Sequence, residues 1–205
     1  MTIKALFPTL IHTAKLTEKD WPTFNRQLLL ECQQLARDDV AGQRWSSKNY
    51  PGGYTSYNSV CRMQQFSPTF AKLERKLNRH VANYVRALGL DLDERPLAMT
   101  DCWVNIMPRQ VVHSLHLHPL STISGTYYVQ APKGCSAIKF EDPRLDRFMA
   151  APPRRIDCKA EQRPWFVVPA EAGKLVLFES WLRHEVPPNQ SKTDRISISF
   201  NYNWF

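Results

Sequence analysis

A chain of 205 residues, 43% hydrophobic and 22% charged, has the size and texture of one globular domain with a sizeable core. No apolar run reaches the ~18 residues a membrane-spanning helix needs, and the opening "MTIKALFPTLIHTAKL" has neither a long apolar stretch nor a small-residue cleavage site, so no secretory leader is expected. The net charge of +8 suits an anionic ligand, but the basic residues are scattered and no nucleic-acid-binding motif accompanies them, so nucleic acid is not the expected partner.

In chain order, the first expected element is a helix from Thr17 to about Asp38, where Trp21, Phe24, Leu28, Cys32 and Leu35 recur at spacings of three and four. The next stretch, "QRWSSKNYPGGYTSYNS", has no clear period; it is expected to be a loop, and its Gly52-Gly53 pair and four aromatic rings suit an active-site lid. Ser67-Pro68 then offers an N-cap and a first-turn proline for a second helix. Its stripe runs Phe70, Leu73, Leu77, Val81, Tyr84, Val85 and Leu88 and stops at Gly89. Residues 1–95 therefore read as a helical scaffold with a lid loop, within a single domain spanning 1–205.

From residue 96 the texture becomes that of short strands: 98–107, 114–118, 123–131, 136–140, 164–169, 174–180 and 195–205. No long helix alternates with them, so the expected fold is α+β and mainly β: a double-stranded β-helix, or jelly roll, over 96–205 with supporting N-terminal helices. In the last strand, Arg195, Ser197, Ser199, Asn201 and Asn203 share one face, while Ile196, Ile198, Phe200, Tyr202 and Trp204 share the other. The helical stripes need a flat apolar partner, and this strand supplies one; its polar face would then look into the barrel. Five cysteines (Cys32, Cys61, Cys102, Cys135, Cys158), odd in number and without a CxxC, suit a reducing cytoplasm.

"HSLHLHP" holds three of the six histidines. On a strand, His116 and His118 project from one face, a common way to offer two imidazoles to a divalent transition metal. His184, after "PAEAGKLVLFESWLR", is the candidate third ligand. Eleven positions on, the planar guanidinium of Arg195 suits bidentate capture of a carboxylate, with Ser197 on the same face as a further donor.

H-x-H, a distal histidine and a later R-x-S resemble the Fe(II)- and 2-oxoglutarate-dependent dioxygenases. More specifically, "VNIMPRQVVHSLHLHPLSTISGTYYVQAP", "FEDPR", "VPAEAGKLVLFESWLRHEVPPN" and "RISISFN" are similar to the small bacterial and phage branch of 2-oxoglutarate/Fe(II) oxygenases, and "LFPT" and "GGYTSYNS" share that likeness. The resemblance implies a hydroxylase that takes Fe(II) and 2-oxoglutarate as cofactors, consumes O2, and decarboxylates 2-oxoglutarate to succinate while oxidising a substrate that nothing in the sequence identifies. Carried over by position, it makes His116 and His184 metal ligands and Arg195 with Ser197 the anchor of the co-substrate, with Asn105 and Tyr128 as weaker further contacts. His113, Asp142 and Arg144 are candidates for substrate or outer-shell roles; no catalytic residue beyond the ligands is expected.

This sequence departs from that pattern at His118, where the family usually has Asp or Glu. We expect His118 to be the third ligand; the alternatives are an open coordination position or a carboxylate from Glu141, Asp142 or Glu179. Two other readings compete: a cupin-type three-histidine metalloprotein with no use for Arg195, and a non-catalytic jelly-roll binding module.

Overall fold

The computed structural model describes residues 2–204. Strand β1 (Ile11–Lys15) precedes helices α1 (Trp21–Asp38) and α2 (Val40–Asn49). Strand β2 (Tyr54–Thr55) and helices α3 (Met63–Phe66) and α4 (Pro68–Leu88) complete the first half. The second half is strands: β3 (Ala98–Met107), β4 (His113–His116), β5 (Ile123–Gln130) and β6 (Ile138–Glu141), then β7 (Trp165–Val168), β8 (Lys174–Glu179), β9 (His184–Val186) and β10 (Arg195–Asn203).

The fold is the expected jelly roll: two antiparallel sheets, the larger ordered β1-β8-β5-β10-β3-β2 and the smaller β4-β9-β6-β7. The outer face of β10 does what its alternation requires. Ile196, Ile198, Phe200 and Tyr202 are all buried in one core with Phe24, Leu28, Phe70, Leu73, Leu77 and Val81 of α1 and α4. Full burial of such side chains is worth roughly 1.5–3 kcal/mol each, so this layer is the main stabilising element of the fold. Gly125 of β5 lies directly across from Phe200, and a Cβ there would sit 2.5 Å from the phenyl ring. A second core, between the sheets, includes Tyr50, Met107, Tyr128, Phe140, Phe178 and Val186.

Helix α4 starts where Ser67 accepts bonds from the Thr69 and Phe70 amides and ends at left-handed Gly89. The expected loop over 43–59 is corrected: residues 43–49 lie in α2, and 54–55 form β2. The polar run "AGQRWSSKN" has no apolar period to announce a helix. It is held by the Asp39 carboxylate, which accepts from the Gly42 amide, and by Ser46, whose hydroxyl meets the Thr55 backbone. Two further strands, β1 and β2, come from the first half and join the large sheet, so the sheet does not begin at residue 96. β10 ends at Asn203, and the expected strand's last position, Phe205, lies outside the described residues. All five cysteines are free thiols. Among the described residues no helix is long and apolar enough to cross a membrane.

Candidate metal centre

The register of the two sheets assembles the site. On the small sheet, His116 of β4 stands directly across from His184 of β9, which brings the two rings to 4.4 Å between centroids. His184 is thus on a strand and 4% exposed. His118 lies just beyond β4, its amide bonded to the Ser180 carbonyl, with its Nε2 3.4 Å from Nε2 of His116. One ring nitrogen from each of the three histidines falls within 4.8 Å of the other two.

Their second nitrogens decide what this cluster can do. The Nδ1 of His116 meets the Ser114 carbonyl at 2.6 Å, and that of His184 meets the Leu182 carbonyl at 2.9 Å. A carbonyl can only accept, so both imidazoles carry their proton on Nδ1 and leave an Nε2 lone pair. The Nδ1 of His118 reaches the side-chain oxygen of Asn201 at 2.8 Å, which selects the same tautomer. Three lone pairs therefore converge with no proton between them. Burial, with His116 beside it, holds the His184 ring down at about 2, and burial likewise holds His118 at about 4, so both rings are neutral and ready to coordinate near neutral pH. The donor set fits a divalent transition metal such as iron, nickel or zinc.

The floor of the same cavity, about 420 Å³ in volume, comes from three strands of the large sheet. In register across β3, β10 and β5 run the rows Asp101–Asn201–Ser124, Trp103–Ser199–Thr126 and Asn105–Ser197–Tyr128, with Met107–Arg195 completing the inward face. Arg195 is 2% exposed. Its Nη1 contacts the Met107 sulfur at 3.1 Å and the Ser197 hydroxyl at 3.3 Å, its guanidinium lies over the Tyr128 ring at 4.8 Å, and its Nε has no partner. Among the described residues it has no carboxylate ion-pair partner. A buried cation without a counter-ion is strongly unfavourable unless a ligand supplies the anion. Around it, Tyr128 Oη, Asn105 Oδ1 and Thr126 Oγ1 are also buried without partners. Burial raises the Tyr128 hydroxyl above its ordinary value, so it stays a protonated donor.

His113 lines the cavity and pairs with Tyr50, ring nitrogen to hydroxyl at 2.9 Å with the rings stacked, and burial brings it down to about 3. Asp142 and Arg144 pair with each other at 2.9–3.0 Å in a turn and do not line the cavity. Of the alternative carboxylates, Glu141 is bound to Arg183 at 2.8 Å, and neither it nor Asp142 nor Glu179 belongs to the ligand cluster. Arg195 and His184 enter the cavity from different sheets. The sequence reading missed Thr126, Trp103 and the Asn201–Ser124 pair, whereas Trp45, Tyr50 and Tyr57, three of the four rings of the expected lid stretch, line the cavity. Period-two alternation places Asn201 inward, but its partners depend on register.

Residues 101–201 match the family described as Putative 2OG-Fe(II) oxygenase. No curated protein matches the chain. Several solved structures are similar to it. The epimerase SnoN of nogalamycin biosynthesis, in complex with Fe3+, alpha ketoglutarate and nogalamycin RO, is 17% identical, with a TM-score of 0.66 over 95% of this chain and 79% of its own. HygX from Streptomyces hygroscopicus, with nickel and 2-oxoglutarate bound, is 13% identical, with a TM-score of 0.64 over 95% and 83%. A Pseudomonas putida prolyl-4-hydroxylase is 15% identical, with a TM-score of 0.58 over 96% and 94%. At these identities the likeness is one of fold.

Proposed function

Because the chain belongs, through residues 101–201, to the family described as Putative 2OG-Fe(II) oxygenase, we propose that it is an Fe(II)- and 2-oxoglutarate-dependent dioxygenase of the hydroxylase type. The observation that carries this reading is Arg195: a buried guanidinium without an acidic partner, on the floor of the cavity into which three imidazole lone pairs point. A cupin-type protein or a passive binding module has no use for that buried charge.

His116, His118 and His184 would hold the iron through Nε2, and Arg195 would pair with the distal carboxylate of 2-oxoglutarate. Bound iron, with 2-oxoglutarate and O2, would supply oxidative attack on a substrate C–H bond, one oxygen atom going to the substrate and the other to succinate, with CO2 released. Ser197 and Tyr128 would donate to the same carboxylate, and the Tyr128 ring keeps the guanidinium flat and dry. Asn105 and Thr126 would contribute their open oxygens to the cavity floor. His113, held by Tyr50, closes part of the wall as a neutral ring. The remaining wall carries no charged side chain: Trp45, Tyr57, Trp103, Val112, Leu117 and Pro119 stand beside the polar but uncharged Asn49, Thr55 and Ser114. A charged group entering there would lose its hydration without finding a partner, so the substrate presents an uncharged group to the metal. The free thiols fit a cytoplasmic location.

Anaerobically iron-loaded protein given 2-oxoglutarate and then oxygen should consume the co-substrate slowly without any added substrate and release succinate. His184→Ala should abolish that consumption. Tight iron binding with no 2-oxoglutarate turnover in the parent would favour the cupin-type reading.

A further inference from the structure

The three histidines are not held alike. His116 and His184 are each locked by a carbonyl two residues earlier in their own segment. His118, at the position where the family usually has a carboxylate, has no such local lock. Its Nδ1 lies 2.8 Å from Asn201 Oδ1 and 2.8 Å from Ser124 Oγ. The Ser124 hydroxyl is in turn 2.8 Å from Asn201 Oδ1 and 2.7 Å from Ser180 Oγ. Asn201 is oriented from behind: its amide nitrogen faces Asp101 Oδ2 at 3.4 Å, and that carboxylate also accepts from Thr100 at 2.8 Å. The row Asp101–Asn201–Ser124 is a cross-strand register row, so β3, β10 and β5 all serve one imidazole.

We propose that Asn201, its amide oriented by Asp101, is the positioning residue that makes His118 a metal ligand. Which groups can donate decides the His118 tautomer. Asp101 can only accept when ionised, so it draws the NH2 of Asn201 and turns the amide oxygen toward His118. That oxygen can only accept, so the His118 proton must sit on Nδ1 and the Nε2 lone pair must face His116 and His184. Ser124 alone cannot do this, because a hydroxyl both donates and accepts. With Asn201 removed, the Ser124 proton is free to point at Nδ1, which selects the Nε2–H tautomer and closes the ligand position. The inference rests on the iron reading above, but its central claim concerns a tautomer present without metal.

The experiment is nitrogen-15 NMR of the histidine rings in the metal-free protein, with Ni(II) titration alongside. The parent should show His118 protonated at Nδ1. Asn201→Ala should move His118 toward the Nε2–H form and weaken Ni(II) by about 10- to 100-fold, the usual effect of losing a partner behind a ligand. Ser124→Ala should leave the tautomer in place. The exchange Asp101→Asn with Asn201→Asp, which keeps an acceptor toward His118 and a donor behind it, should restore Ni(II) binding to within a few-fold of the parent; a merely structural loss would not be rescued. Asp101→Asn alone gives a milder second route if Asn201→Ala does not fold: it frees the Asn201 amide to turn and should yield a mixture of tautomers. His118 remaining fully Nδ1–H in both Asn201→Ala and Asp101→Asn, with unchanged Ni(II) affinity, overturns the proposal. If instead the tautomers change as stated while no variant and not even the parent binds Ni(II) through His184, the iron reading fails and with it the ligand role, and only the control of the His118 tautomer by Asn201 stands.

Discussion

The two sheets meet in one cavity but are built to different ends. The large sheet has long strands, nine residues in β10 and ten in β3, backed by α1 and α4 through a continuous apolar core. The small sheet supplies His116 and His184 from strands of four and three residues, and among the described residues its core takes in Trp45 of α2 but no residue of α1 or α4. Each sheet carries the kind of cost it can support. A buried, unpaired guanidinium is expensive, and it sits on a strand whose other face, Ile196, Ile198, Phe200 and Tyr202, is buried in the helical core. Neutral imidazoles cost little, so they can sit on short strands where a cross-strand pair and two backbone carbonyls give precision without bulk.

The contrast breaks first at the helical backing. Phe70 is fully buried against the large sheet, and Phe70→Ala should cost about 3–5 kcal/mol in urea denaturation. The fraction that remains folded should bind Ni(II) as the parent does. A parallel loss of metal affinity would mean that the metal end depends on the helical core after all.

Arg195 sharpens the other side. Removing an unpaired buried charge should leave the ligand-free protein as stable as the parent or more so, while the lost charge-assisted pair with a carboxylate ligand is worth on the order of 2–5 kcal/mol. Arg195→Met should therefore weaken 2-oxoglutarate binding by about two to three decades without lowering the melting temperature. A marked drop in stability would show that the guanidinium is structural and the sheet does not carry it as a burden.

A third contrast concerns pH and the small sheet. An unfolded histidine titrates near 6.5, whereas burial keeps His184 down at about 2 when folded. Above about pH 6.5 both states are neutral and the ring does not affect stability. As pH falls below that, the unfolded chain takes up the proton and the folded one does not, so the metal-free protein loses about 1.4 kcal/mol per pH unit from this ring. By pH 4.5 that is roughly 3 kcal/mol, with His113 and His118, held at about 3 and 4, acting in the same sense. Urea midpoints at pH 7.5 and 4.5 read it directly; a flat profile would mean that the rings are solvated in the folded state.

Several features were legible before any coordinates because they are written as local patterns. The α4 stripe with its Ser67 cap and Gly89 stop is one, and the alternation of β10 is another. So is the H-x-H pair with a distal histidine. Helix α2 was not legible, because its polar face carries no period and its hold on Thr55 is a contact between segments. Strands β1 and β2 were missed for a related reason: five residues and two residues acquire strand geometry only by pairing with β8 and β3.

The sequence by itself determined which side chains could do chemistry and which face each would take, because a period of two or 3.6 residues is a property of the chain alone. Tertiary structure decided everything that depends on register. It placed His116 opposite His184, put Arg195 on the sheet facing them, and aligned Asp101, Asn201 and Ser124 in one row behind His118. A shift of one residue in any pairing would turn those side chains to the other face, and no local pattern specifies which strand a residue will meet.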